Sequence, residues 1–148
     1  MDKEKELTEL LDVYYKSWFK INEVYRIWAR EHEIQDTTLF TLYIINENSP
    51  YCTQNEIRDK LSLPKQTVSL ILSSLEKEGY ILRELNSKDR RNKIVKFTDK
   101  GRQYASSILQ KLKLTEVEAL SDISQEQRRT MIQSFCLLSD LLDKGFSK

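Results

Sequence analysis

The segment PKQTVSLILSSLEKEG, residues 64–79, has the pattern of a single amphipathic helix. Pro64 is expected at the first helical position, where its missing N–H costs nothing. Gly79 is expected just beyond the last turn, where a positive φ is common. Between them, four apolar residues recur at helical spacing and predict one buried stripe: Val68, Ile71, Leu72 and Leu75.

The opposite side of this helix is polar, with Lys65, Gln66, Ser69 and Ser73, and it has no carboxylate before Glu76. Amides, hydroxyls and a lysine without acidic neighbours suit a surface lined with phosphates and base edges. An ordinary solvent-exposed helix face is the alternative. The flanking segments favour the first interpretation.

A short helix is predicted before this segment. Thr53-Gln54-Asn55-Glu56 has the form of a capping box, and the helix that it opens has Ile57 and Leu61 on its apolar side. Only Ser62 and Leu63 then separate the two helices. Two short helices with so short a link form a helix-turn-helix.

After Gly79 the apolar period changes to two. Residues 80–85 and 93–97 are predicted as the strands of a hairpin, with NSKDRRN at residues 86–92 as its polar tip. Residues 51–53 are expected to add a short third strand. A helix-turn-helix followed by a basic hairpin is a winged helix, and this order of elements favours nucleic-acid binding.

The distribution of charge agrees with that interpretation. The net charge is only +1 over 148 residues, but residues 58–102 contain twelve Lys and Arg against six Asp and Glu. That segment therefore has a net charge of +6, and the remainder of the chain has −5. A basic module between acidic flanks is the electrostatic pattern expected of a DNA-binding protein.

The composition is that of a helix-rich globular chain, with 32% charged residues, three Gly and two Pro. No apolar run approaches the ~20 residues that span a bilayer. The charged N-terminus lacks the apolar region of a signal peptide. We therefore expect a cytoplasmic protein without a membrane partner.

Both ends of the chain are predicted to be long helices. Residues 4–31 have a heptad-type seam that fits another helix, formed by Leu7, Leu11, Tyr14, Trp18, Ile21, Tyr25 and Trp28. Residues 99–120 have a further apolar stripe, as does a last helix from a second capping box at residues 124–127 to Gly145. Dimerisation through these helices is expected, and a purely intramolecular bundle is the alternative.

The predicted fold class is mainly α (α+β), with a winged helix-turn-helix lobe, a small β-hairpin wing, and long N- and C-terminal dimerisation helices. The predicted boundaries assign residues 1–35 and 103–148 to the helical dimerisation region. Residues 36–102 form the predicted DNA-binding region.

The chain resembles the MarR (multiple antibiotic resistance regulator) family of winged helix-turn-helix transcriptional regulators. The resemblance extends over essentially the whole chain and is clearest in four motifs: Thr67-Val68-Ser69, Leu75-Glu76-Lys77-Glu78-Gly79-Tyr80, Asp89-Arg90-Arg91 and Phe97-Thr98-Asp99-Lys100-Gly101. It implies a homodimeric, ligand-responsive regulator, usually a repressor. Two recognition helices on one dimer predict a pseudo-palindromic operator in double-stranded DNA.

The helix at residues 64–79 supplies the candidates for major-groove contact: Lys65, Gln66, Thr67, Ser69, Leu70 and Ser73. Gln66 suits adenine, Lys65 suits guanine or a phosphate, and the serines suit either base or backbone. Thr67 is expected to face the preceding helix or a phosphate. Leu70 stands where the family often has Arg, and it is expected to touch a thymine methyl or to pack on a neighbour.

In the wing, the resemblance places Arg91 at the position that enters the minor groove, with Asp89 orienting it. A narrow minor groove has an enhanced negative potential, which supports this role. Lys88, Arg90 and Lys93 are expected at phosphates. A solvated charge cluster is the alternative.

The resemblance also implies a ligand pocket between the dimer helices and the DNA-binding lobe. The aromatic candidates there are Tyr15, Trp18, Phe19, Tyr25, Phe40 and Tyr43. Aromatic rings with polar tips suit a small amphipathic or phenolic ligand. The alternative is that these rings are core residues.

Other classes of protein are disfavoured. His32 is the only histidine and there is no Gly-rich phosphate loop, so no enzyme, metal site or cofactor is expected. Cys52 and Cys136 lack the spacing of a disulfide scaffold or zinc site. The remaining alternative is a winged-helix protein-interaction module without specific DNA binding. That class predicts apolar residues on the exposed helix face, and only Leu70 fits it.

Overall fold

The computed structural model describes residues 2–148, which form six helices and three short strands. In chain order these are α1 (Lys3–Glu31), α2 (Asp36–Glu47), β1 (Cys52–Thr53), α3 (Gln54–Leu61), α4 (Lys65–Lys77), β2 (Ile81–Glu84), β3 (Ile94–Phe97), α5 (Asp99–Ser121) and α6 (Gln125–Phe146). The predicted helices, the hairpin and the short third strand are all confirmed.

Apolar side chains from the helix-turn-helix and the sheet form the core. The predicted stripe of α4 is buried along its whole length, and Val68 and Leu72 are almost completely enclosed. Leu39 and Leu42 of α2 and Ile57 of α3 are fully buried. The apolar period of α4 therefore determined which of its sides faces the core, and it left the polar side exposed.

The two ends of α4 have different structures. Pro64 is the N-cap residue and not the first helical residue as predicted, since its ψ of 147° is extended. The ring of proline fixes only φ, so it fits an N-cap as well as a first turn. At the other end Gly79 has a φ of +82°. Hydrogen bonds from Gly79 N–H to the Glu76 carbonyl and from Tyr80 N–H to the Leu75 carbonyl close a Schellman motif.

The three strands form one antiparallel sheet in the order β1-β3-β2. Val95 of β3 lies opposite Cys52 on one side and Arg83 on the other. The chain passes directly from β1 into α3, where the Thr53 hydroxyl accepts from Glu56 N–H at 3.3 Å and donates to the Glu56 carboxylate at 3.4 Å. The sheet is thereby joined to the start of the helix-turn-helix.

The chain divides into two compact units, one extending to Leu109 and the other comprising Gln110–Lys148. In the second unit, the predicted capping box of Ser124 and Gln127 is confirmed at the start of α6. Arg128 donates to the carbonyls of Leu120 and Ile123 at the end of α5. No residue of α6 is buried, and its Phe135 is 65% exposed.

None of the helices within residues 2–148 combines the length and apolar character that crossing a membrane requires. In the same described part of the chain, no three His, Cys, Asp or Glu side chains lie close enough together to hold a metal ion.

Candidate nucleic-acid interface

The polar side of α4 is available to solvent. Lys65, Gln66 and Ser73 are exposed, and Ser69 is half-buried. The first turn of the helix has no acidic residue. Leu70 lies on the same helix and is 73% exposed, so it forms an apolar position within a mostly polar surface.

The tip of the wing is shaped by side chains that bind its own backbone. The Asp89 carboxylate accepts from Arg91 N–H at 3.0 Å, and the Asn86 side-chain oxygen accepts from Lys88 N–H at 3.1 Å. Such Asx-type turns fix a tight bend without regular strand pairing. The Asp89 carboxylate therefore orders the backbone at Arg91, two residues along the chain.

Basic side chains of the wing tip point into solvent. Lys88, Arg90 and Arg91 are exposed, and within residues 2–148 none of them forms an ion pair. Lys93 is half-buried at the end of the tip. The tip therefore presents three positive charges that have no acidic partner on the described chain.

The wing is attached to the helix-turn-helix at two points. The Asn92 side-chain oxygen accepts from Asn55 N–H at 3.0 Å, and the Lys93 carbonyl accepts from Gln54 N–H at 3.0 Å. Both donors belong to the first turn of α3. The wing and the helix-turn-helix are therefore held together by two backbone N–H donors of α3, one bound to a side-chain oxygen and the other to a carbonyl.

A third attachment involves Arg83 of β2, which sequence reasoning did not select. Its guanidinium donates to both carboxylate oxygens of Glu76, at 3.3 and 3.1 Å, and to the Ser73 hydroxyl at 3.1 Å. Hydrogen bonding with Arg83 lowers the pKa of the Glu76 carboxyl. The only signal in the sequence was the opposite charge of two residues in neighbouring elements.

Comparison with known proteins finds a matching family model and similar folds. The family model described as the MarR family matches residues 32–92, which include the helix-turn-helix and the wing tip. This segment is similar to the MarR family of transcriptional regulators.

Two curated relatives align with most of this chain and most of their own. An uncharacterised HTH-type transcriptional regulator of Bacillus subtilis, YkoM, is 28% identical over 123 residues, covering 74% of this chain and 79% of its own. The HTH-type transcriptional regulator SarZ of Staphylococcus aureus is 25% identical over 134 residues, covering 86% and 89%.

Solved structures share the fold of this protein. FabT of Streptococcus pneumoniae, solved in complex with DNA, has a TM-score of 0.68 and 24% identity, covering 96% of this chain and 99% of its own. MepR of S. aureus, solved as a DNA complex, has a TM-score of 0.71 and 22% identity, covering 87% and 95%.

The aromatic candidates for a ligand pocket form two separate groups in this protein. On α1, the Trp18 ring stacks with Tyr15 and Phe19 at centroid distances of 6.3 and 6.0 Å. Farther along α1, Tyr25 contacts Phe40 of α2 at 5.5 Å. Tyr43 is half-exposed. The structure thus brings together three of the six candidates in one cluster and two in another.

A cavity of about 460 Å³ lies beside α4 and is lined by none of those six residues. Thr67, Leu70 and Ser74 of α4 face it, together with Tyr80 and Tyr104. The two tyrosine rings stack at 4.5 Å, and burial raises the pKa of Tyr104. This cavity depends on residues far apart in the sequence, so no local pattern indicated it.

The His32 side chain packs against its own helix, and Cys52 is buried in the core. The His32 ring stacks on Trp28 at 3.8 Å, and its Nδ1 lies 2.8 Å from the Trp28 carbonyl at the end of α1. Cys52 is fully buried, and burial raises its pKa to about 12. Cys136 on α6 is exposed.

Proposed function

We propose that this protein is a MarR-family regulator: a homodimeric, sequence-specific repressor that binds double-stranded DNA in the cytoplasm and has no enzymatic activity. The observation that most supports this proposal is the placement of two surfaces on one folded unit. These are the polar side of α4, without acid in its first turn, and a wing tip with three cations that form no ion pair among residues 2–148.

In this proposal α4 enters the major groove and its exposed residues meet base edges and phosphates. Gln66 pairs with adenine, and Lys65 reaches guanine or a phosphate. Ser69 and Ser73 bind base or backbone. Thr67 contributes a phosphate contact, and Leu70 contacts a thymine methyl, which its 73% exposure allows.

The wing follows the backbone beside the major groove. Arg91 enters the minor groove, where the negative potential is strongest if the groove is narrow. Asp89 orients Arg91 through the backbone bond described above, while Lys88, Arg90 and Lys93 neutralise phosphates. FabT and MepR, which share this fold, were solved bound to DNA, and this supports the assignment.

The dimer is assigned to residues 1–35 and 103–148, and DNA binding to residues 36–102. Apolar side chains on α1 and α6 are exposed in the single chain, including Trp18 at 48% and Phe135 at 65%. A second copy that covers them removes this area from water. Two α4 helices held about one turn of DNA apart then read a pseudo-palindromic operator.

Ligand response is assigned to the aromatic residues Tyr15, Trp18, Phe19, Tyr25, Phe40 and Tyr43. A small amphipathic or phenolic ligand among these rings favours a different spacing of the DNA-binding lobes. The population of dimers then shifts away from the form that fits the operator.

A salt titration of binding to duplex fragments from around the protein's own gene tests this function, with a scrambled duplex as control. We expect a dimer to bind tightly and with sequence selectivity. Its affinity should fall steeply as the salt concentration rises, because phosphate contacts release counterions. Absence of binding to either duplex at low salt overturns the proposal. It would favour a protein-interaction module instead.

A further inference from the structure

Arg83 forms a hydrogen-bonded link between the wing and the exposed side of α4. Its side chain is 20% exposed, against 41% for Glu76, so the arginine is the more enclosed partner of the pair. Both Glu76 oxygens are engaged, in the two-pronged geometry that makes arginine–carboxylate pairs directional. This differs from the single bonds of a flexible surface ion pair.

Glu76 is the only acidic residue of α4. It follows Gln66, Ser69 and Ser73 at spacings of three, four and three, so all four lie along one side of the helix. A carboxylate on the side proposed to face DNA repels phosphates. The pKa of Glu76 is lowered, so at neutral pH its charge is neutralised by pairing and not by protonation.

The same guanidinium also determines how Ser73 can bind. The Ser73 hydroxyl accepts a hydrogen bond from Arg83 at 3.1 Å, which leaves its own proton free to donate. Phosphate oxygens, guanine and thymine offer acceptors to such a proton, whereas the cytosine amino group offers only a donor. Arg83 therefore biases the chemistry of a predicted base contact.

We infer that Arg83 is a positioning residue for DNA recognition. It neutralises Glu76, orients Ser73 as a donor and joins the wing to α4, so that both engage DNA as one unit. This inference rests on the proposed function, because it assigns a role within DNA binding.

A double-mutant cycle tests the inference with Arg83→Gln, Glu76→Gln and the double variant, all as full-length protein on the operator and scrambled duplexes. Arg83→Gln is expected to weaken operator binding about tenfold or more, because Glu76 is left unpaired against phosphates. Glu76→Gln alone should change binding less than about threefold. The double variant should recover most of the lost affinity, since no repelling carboxylate remains. The missing bond to Ser73 and the missing link to α4 should leave a loss of no more than about threefold relative to Glu76→Gln.

Arg102→Gln is the matched control. Arg102 also lies in the basic segment and pairs with a carboxylate, at 3.7 Å from Asp99, which belongs to α5 and not to α4. The Arg102→Gln substitution removes one positive charge, as Arg83→Gln does, and it should change operator affinity less than about threefold. Its result separates the effect of losing the Arg83 link from the effect of losing one positive charge.

Three results would overturn the inference. Arg83→Gln could weaken operator binding by the same factor in the wild-type and Glu76→Gln backgrounds. In that case Arg83 acts as an independent phosphate contact. If the variants lower only the unfolding midpoint and the folded protein binds normally, the pair is merely structural. If wild-type protein binds neither duplex, the proposed function fails and this inference fails with it.

Arg83→Lys keeps the cycle interpretable if Arg83→Gln does not fold. Lysine retains the charge but cannot form the two-pronged bond, so an intermediate loss of affinity is expected. Adding Glu76→Gln to that variant should restore binding to within about threefold of Glu76→Gln. No restoration in that background would also overturn the inference.

Discussion

Gly101 lies where two segments of this protein approach closely. A Cβ atom placed on it would lie 1.7 Å from the Tyr80 carbonyl oxygen. The same junction contains a hydrogen bond from the Thr98 hydroxyl to the Gly79 carbonyl at 2.6 Å, and Thr98 also accepts from Gly101 N–H. The start of α5 is therefore fixed against the turn that follows α4.

Gly101→Ala is expected to destabilise the fold by about 2 kcal/mol or more, because a backbone atom must move to admit the methyl group. Chemical unfolding at fixed protein concentration measures the change. Gly145→Ala is the control, since nothing lies within 4 Å of its added Cβ. That change should be neutral or stabilising by up to ~1 kcal/mol, because alanine favours a helix. Equal effects at both glycines would contradict the packing argument.

Cys52 is expected to resist alkylation in the folded protein. With a pKa of about 12 it is protonated at pH 8, when only about one molecule in ten thousand has the reactive thiolate. Mass spectrometry of a Cys136→Ser variant treated with iodoacetamide isolates this thiol. The same variant should be labelled fully in denaturant. Rapid labelling of the folded variant would show that the thiol is accessible.

The wing is the element whose shape depends most on side-chain to backbone bonds. Between β2 and β3, Asp89 and Asn86 hold the tip, and Asn92 attaches it to α3. The carboxylate of Asp89 lies among the basic residues proposed to contact DNA. Its charge opposes DNA binding, while its hydrogen bond to Arg91 N–H favours the bound geometry.

Asp89→Ala tests which of these two effects is larger. We expect operator binding to weaken about two- to tenfold, as one ordering hydrogen bond is lost. If the wing tip keeps its order in the Asp89→Ala variant, the loss of the negative charge would instead tighten operator binding. Asp89→Asn keeps the accepting oxygen and removes the charge, so it should bind at least as tightly as wild type. Fluorescence anisotropy on the operator duplex measures both.

At the scale of the whole molecule, apolar surface is left uncovered on a single chain. Leu11 and Trp18 on the seam of α1 are 42% and 48% exposed, and α6 buries no residue. Large apolar patches on a soluble chain indicate a surface that another protein covers. Such exposed apolar area on a long helix suits a helical dimer interface.

Leu11→Glu combined with Trp18→Glu is expected to convert the dimer to monomer, because two carboxylates would be buried at the interface without partners. Sedimentation velocity measures the mass of the species. Lys16→Glu with Lys20→Glu is the control, since these residues lie on the opposite side of α1 and change the net charge more. A dimer that survives the first pair would contradict the assigned interface.

The local sequence by itself determined the helices, the turns and the wing of this protein. The apolar stripe of α4, the glycine that ends it and the period-two hairpin each depend on neighbours within a few residues. Side-chain periodicity and turn chemistry act over that range. The exposed polar side of α4 and the basic wing tip, and hence the candidate interface, followed from the same patterns.

Tertiary structure alone decided the contacts between residues distant in the chain. Arg83 reaches Glu76 and Ser73 across the turn at Gly79, Gly101 meets Tyr80, and the cavity beside α4 gathers residues from several elements. Pro64 became an N-cap because proline fixes φ but leaves ψ to its surroundings. Such features depend on how elements pack in three dimensions, and no local period in the sequence specifies that packing.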